Sequence, residues 1–145
     1  MNKKGIVSKR LHWTGWIVVV LACVTGGWMA FDGTRALVSG DYVTASGGAY
    51  AGQLGPWSNA VEAVGLDPHS ATVKSVIMLY GLVTIVLAAG FARGWPWGWW
   101  GMFTVAILGL WYLPVGTATG LVTLVLLLLP GLRSGQRSPS VSARL

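Results

Sequence analysis

Apolar positions along this chain gather into long unbroken runs, with no sustained polar face between them. The first run covers 11–31, after Lys9 and Arg10 and before Asp32 and Gly33. The second covers 73–92 and stops at Arg93 and Gly94. From Trp95 to Leu132 there is no charged residue at all. Pro114 and Gly116 divide that stretch, because proline lacks a backbone donor and pushes the residue before it out of the helical region. The expected elements are helices over 97–112 and 116–132, joined by a tight turn at 113–115. A membrane-crossing helix needs about 20 mostly apolar residues. The pattern therefore predicts an all-α integral membrane protein with four transmembrane helices.

The polar remainder is short. Residues 32–72 form one loop, too small for an independent domain but carrying local signals. Pro56 and Gly65 bracket a short helix over about 56–64, with Trp57, Val61 and Val64 in an amphipathic stripe. Asp67 and Pro68 read as the N-cap and first residue of the next long helix. These signals predict a short, ordered extracytoplasmic loop that shields the helix ends.

Charge sets the orientation. Hydrophobic residues make up 54% of the 145 positions and charged residues 10%, against about 25% charged in soluble domains. All four acids, Asp32, Asp41, Glu62 and Asp67, fall in the 32–72 loop. Eight of the ten basic residues fall outside it: four within residues 1–10, then Arg93, Arg133, Arg137 and Arg144. Positively charged flanks stay in the cytoplasm. The chain is thus expected to be a multi-pass protein of the bacterial cytoplasmic membrane with both termini inside. Residues 1–10 would be a basic cytoplasmic N-terminus and 133–145 a disordered basic tail. The net charge of +6 is topogenic on this reading, which excludes nucleic acid as a partner. The first run is longer than a signal-peptide core, and Trp28 and Met29 crowd the cleavage zone, so it reads as a permanent anchor.

Candidate chemistry is sparse. The run at 93–96 and just beyond, Arg93, Trp95, Trp97, Trp99 and Trp100, forms a cytoplasmic turn whose indoles suit the headgroup layer. These residues are expected to be interfacial anchors. Trp111, Tyr112 and Pro114, with Asp67 and His69, make an outer-face patch worth examining. No catalytic set and no metal-ligand spacing occurs. Cys23 is the only cysteine and lies in an apolar run, where a thiol is inert. No charged residue falls at the centre of a span, which argues against a proton-coupled pump. Small residues four apart, such as Ala22/Gly26, Ala88/Ala92 and Gly116/Gly120, suit close helix approach within the molecule or with a partner.

Two resemblances follow from these residues. "KRLHWTGW" opens the first span much as the first helix of cytochrome b561-type haem proteins opens. That resemblance implies His12 as an axial ligand of haem b; His69 is expected on the opposite side of the membrane, which leaves Met29, Met78 or Met102 as available second ligands. "GDYVTASGGAYAGQLGPW", "VGLDP" and "LWYLPVGT" together resemble small bacterial four-span membrane proteins, a resemblance that carries no assigned activity. The leading expectation is a non-enzymatic protein without a cofactor, embedded in the lipid bilayer. It would serve as an accessory or scaffolding subunit, associating with other subunits or itself, or would bind a lipid-like hydrophobic ligand. The alternatives are an oligomeric small transporter or channel, and a haem- or quinone-binding electron carrier using His12.

Overall fold

The computed structural model describes residues 11–133, and within them every regular element is helical. The expectations for 1–10 and for the tail beyond 133 lie outside the described residues. The elements are α1 (Trp13–Ser39), α2 (Trp57–Ala63), α3 (Ala71–Ala92), α4 (Gly98–Leu108) with a 3₁₀ turn over Gly109–Trp111, α5 (Val115–Leu128) and the single turn α6 (Pro130–Arg133). α1 packs on α3 and α5, and α4 packs on the same two, so the long elements close a ring. Two helices, α1 and α3, are long and apolar enough to cross a membrane. The remaining two are shorter: α5 with 14 residues is about 21 Å long, against a hydrocarbon core of about 30 Å.

The boundary between α1 and the loop differs from the expectation. Asp32 and Gly33 do not end the helix, which runs on past Phe31 to Ser39 and closes at Gly40 in the left-handed region (φ 92°). Gly33 is there for packing. A Cβ at that position would stand 2.6 Å from the Met78 backbone nitrogen, and one at Gly81 would strike the backbone of Gly26 and Ala30. α1 and α3 thus touch backbone to backbone along Gly26, Gly33 and Gly81. Gly116 and Gly120 do the same between α5 and the carbonyls of Gly109 and Ala106. The small-residue seams at Gly26, Gly116 and Gly120 are therefore used within the molecule.

The loop is ordered, with two local changes. α2 forms as expected, with Pro56 as its N-cap residue, and buries Trp57 and Val61, but Val64 points away and is 72% exposed. Asp67 and Pro68 make a turn rather than the cap of α3. The cap is Ser70, whose hydroxyl accepts from the Val73 N–H at 3.3 Å, while Asp67 Oδ1 takes the His69 N–H at 2.8 Å. The turn is explained by chemistry available to both residues: an aspartate binds its own backbone two residues on as readily as it caps a helix.

Large apolar side chains cover the outer surface as well as the core. Val20, Val24, Phe31, Val76, Val83 and Val125 all face outward and are more than half exposed or nearly so. The buried set includes Asp32, Lys74, Thr84 and Thr123. Lys74 Nζ donates to the Gly40 carbonyl, placing a cation on the C-terminus of α1, where the helix dipole favours it. Tyr80 donates to the Val105 carbonyl and Thr117 to the Leu110 carbonyl, at 2.6 Å for the latter. Two apolar clusters fill the ring. One lies toward the Arg93–Trp97 turn (Met102, Leu127, Trp99, Phe91) and the other toward the 40–70 loop (Met29, Ile77, Trp57, Tyr112).

Candidate functional site

The residues with the most unusual surroundings converge at the loop end. Trp28 and Asp32 are four apart on α1 and so share a helix face. Tyr42 comes from the loop, Trp57 from the start of α2, and Tyr112 from the break before α5. These five line a cavity of about 160 Å³, completed by Leu54 and Pro114 among others. The rings contact one another directly. Tyr42 meets Trp57 edge-on at 5.1 Å, and Trp57 stacks on Tyr112 at 5.7 Å with an interplanar angle of 20°. Trp111 stands edge-on to both Trp57 and Tyr112.

Asp32 is the charge in this aromatic setting. It is 4% exposed. Its Oδ1 accepts the Val43 N–H at 2.7 Å, which pins the start of the loop over the end of the cavity. Arg35, one turn further on, is exposed and gives its guanidinium to the Asp41 carbonyl at 3.2 Å. Tyr42 donates its hydroxyl to the Pro68 carbonyl at 3.0 Å. Burial pushes the Tyr42 phenol well above its ordinary range, and the Asp32 carboxylate adds to the shift. Tyr42 therefore stays a protonated donor that ties α1's exit to α3's approach.

A second, more polar cavity of about 440 Å³ shares Tyr42, Val43 and Leu54 with the first, and adds Arg35, Asp41 and His69. It forms a polar antechamber beside the aromatic cavity. On the other side of the Trp111–Tyr112 pair lies an apolar groove of about 280 Å³, walled by Val61, Val64, Leu66, Val73, Val76 and Trp111.

The expected site residues fall out as follows. Tyr112 and Pro114 line the aromatic cavity, Trp111 lines the groove, and His69 lines the antechamber. Asp67 lines none of the three and holds the backbone of His69 instead. Of the tryptophan cluster, Trp95, Trp97 and Trp100 are exposed by 38–63%, but Trp99 is core. Its indole N–H donates to the Leu127 carbonyl at 3.1 Å and its ring stacks on Phe103 at 5.2 Å. An anchor role does not fit Trp99: helix α4 begins at Gly98 and turns that one ring inward, against a carbonyl left free at the end of α5. Arg93 ends α3 as its C-cap residue. His12 precedes α1, exposed, with Nδ1 3.0 Å from the Thr14 hydroxyl. It is separated from the His69 end by the length of α1, about 40 Å for 27 residues. Among the described residues no three of His, Cys, Asp or Glu come together as a metal site.

Sequence reasoning did not single out Asp32, Tyr42 or Trp28. One signal was present: Asp32 follows Trp28 by four residues, the spacing that puts two side chains on one helix face. No family model matches the chain, and no curated protein or solved structure matches it. Residue roles rest on geometry alone.

Proposed function

We propose that this protein is a non-enzymatic, four-span protein of the bacterial cytoplasmic membrane that binds a lipid-like molecule at its extracytoplasmic end. The observation that carries the reading is the apolar groove beside α2. Its lining is nearly free of polar atoms. It also runs directly into the outward face of α3, where Val76, Leu79 and Val83 are each exposed by half or more. A surface that is apolar from groove to helix flank is one an acyl chain can follow from the bilayer without crossing a polar barrier. The apolar outer surface of the ring supports membrane embedding. The position of the acids in the 32–72 loop supports its extracytoplasmic placement. An accessory role in a larger assembly draws less support, because the glycine seams are spent within the molecule.

The test is lipid retention. Protein released from a gentle maltoside detergent and weighed by native mass spectrometry is expected to carry a phospholipid. Ala60→Phe, which fills the groove from α2, is expected to strip most of it. A wild-type protein that is consistently lipid-free would end the reading. In parallel, Tyr50→Cys in a Cys23→Ser background is expected to react with a membrane-impermeant maleimide on intact spheroplasts, and protection there would reverse the orientation.

A further inference from the structure

We propose that the aromatic cavity bounded by Trp28, Asp32, Tyr42, Trp57 and Tyr112 is a binding site for an organic ammonium cation. The inference goes beyond the acyl-chain groove, uses a different wall of the molecule, and stands without it.

The cavity offers one buried negative charge and a set of π-systems, and little else. Asp32 has a single hydrogen bond from Val43, and a carboxylate can accept about four. A buried carboxylate so lightly partnered is costly as an anion, and a cation that joins it offsets that cost. Among the described residues no cation makes a close ion pair with Asp32: Arg35 acts on it only through space and gives its guanidinium to the Asp41 carbonyl. Lys74 is held by the Gly40 carbonyl, 6.0 Å from the Tyr42 ring centroid, and lines neither cavity.

The remaining lining selects the type of cation. A metal ion or sodium exchanges its water shell for several oxygen or nitrogen ligands. Here Asp32 is the one acid lining the cavity, with no histidine or cysteine beside it. A methylated ammonium is large and weakly hydrated, and it is attracted to the electron-rich faces of Trp and Tyr. Asp32 supplies the counter-charge and the rings replace the hydration shell. The cavity of about 160 Å³ has room for a group of tetramethylammonium size. The antechamber adjoins this cavity through Tyr42, Val43 and Leu54, and its Arg35 offers a partner for a phosphate attached to the ammonium group.

The ammonium could belong to a free solute or to a phospholipid headgroup. Both share the chemistry, and Arg35 separates them. The experiment is calorimetric titration of the full chain in a maltoside detergent, which has no ammonium group of its own. Tetramethylammonium and choline are expected to bind saturably, and sodium at equal ionic strength is not. Asp32→Asn is expected to weaken choline binding at least tenfold. Trp28→Leu, at a half-exposed position, is expected to weaken it about fivefold with the far-ultraviolet helix signal unchanged, and it carries the test alone if Asp32→Asn does not fold. If phosphocholine binds more tightly than choline, and Arg35→Gln removes the difference, the natural ligand is a headgroup. If the two bind alike, it is a free cation. Folded wild-type protein that gives no saturable heat with either ammonium salt overturns the proposal. So does binding that a folded variant of Asp32 or Trp28 leaves intact.

Discussion

Aromatic side chains crowd both ends of the molecule, and they do different things there. At the Arg93–Trp97 turn, four tryptophans lie within six residues of chain. Three of them spread outward and one, Trp99, fills the core against Phe103 and Leu127. At the loop end, Trp28, Tyr42, Trp57 and Tyr112 are scattered across the sequence and meet around a void that contains a carboxylate. The dense cluster is a packing and surface feature. The dispersed one has the attributes of a site. Local density in a sequence reflects what one turn of chain must do with its neighbours, whereas chemistry at a site needs groups delivered from several directions.

The comparison can be tested first through the seam both ends depend on. Gly81→Val would drive a side chain into the backbone of α1 at Gly26 and Ala30. It is expected to abolish folded protein, read as loss of the monodisperse peak on size exclusion in detergent. If the variant purifies normally, the two ends do not share a rigid frame. Next, Trp99→Ala is expected to cost about 3 kcal/mol, from a cavity plus the unpaired Leu127 carbonyl. Trp100→Ala, 63% exposed, is expected to cost under about 0.5 kcal/mol. Chemical unfolding in detergent measures both, and equal losses would show that the turn end has no distinct core. An effect between these two belongs to the loop end. Tyr42→Phe removes the hydroxyl that reaches Pro68 and is expected to cost about 1 kcal/mol. Faster hydrogen exchange at Val43 and its neighbours would accompany it, with the turn end unaffected.

Much of the helical framework could be read directly from the sequence. Hydrophobic run length marked α1, α3 and the divided pair α4 and α5, and Pro56 with Gly65 marked α2. The errors share a cause. Asp32–Gly33 looks like a stop because charge and glycine both break apolar patterns. In three dimensions the acid is tucked under the loop by Val43, and the glycine admits the backbone of α3. Asp67 looks like a cap because aspartate caps helices, but Ser70 lies nearer the first turn of α3 and serves instead. Trp99 looks like its three neighbours and is set apart only by the direction α4 takes. Asp32, Gly33 and Trp99 depend on contacts from distant segments, which spacing along the chain does not encode, whereas Asp67 and Ser70 are a local choice between two competent caps. Trp28 and Asp32 have the spacing of one helix face, but ending the first helix at Phe31 left Asp32 off it, and the partners Tyr42, Trp57 and Tyr112 lie far along the chain.

The glycine seam has a mechanical consequence. Interlocked backbones do not slide smoothly. Trp28 and Asp32 ride on α1, while Trp57 and Tyr112 come from other elements. The seam that locks α1 against α3 at Gly26, Gly33 and Gly81 therefore also sets how deep the carboxylate sits among the rings.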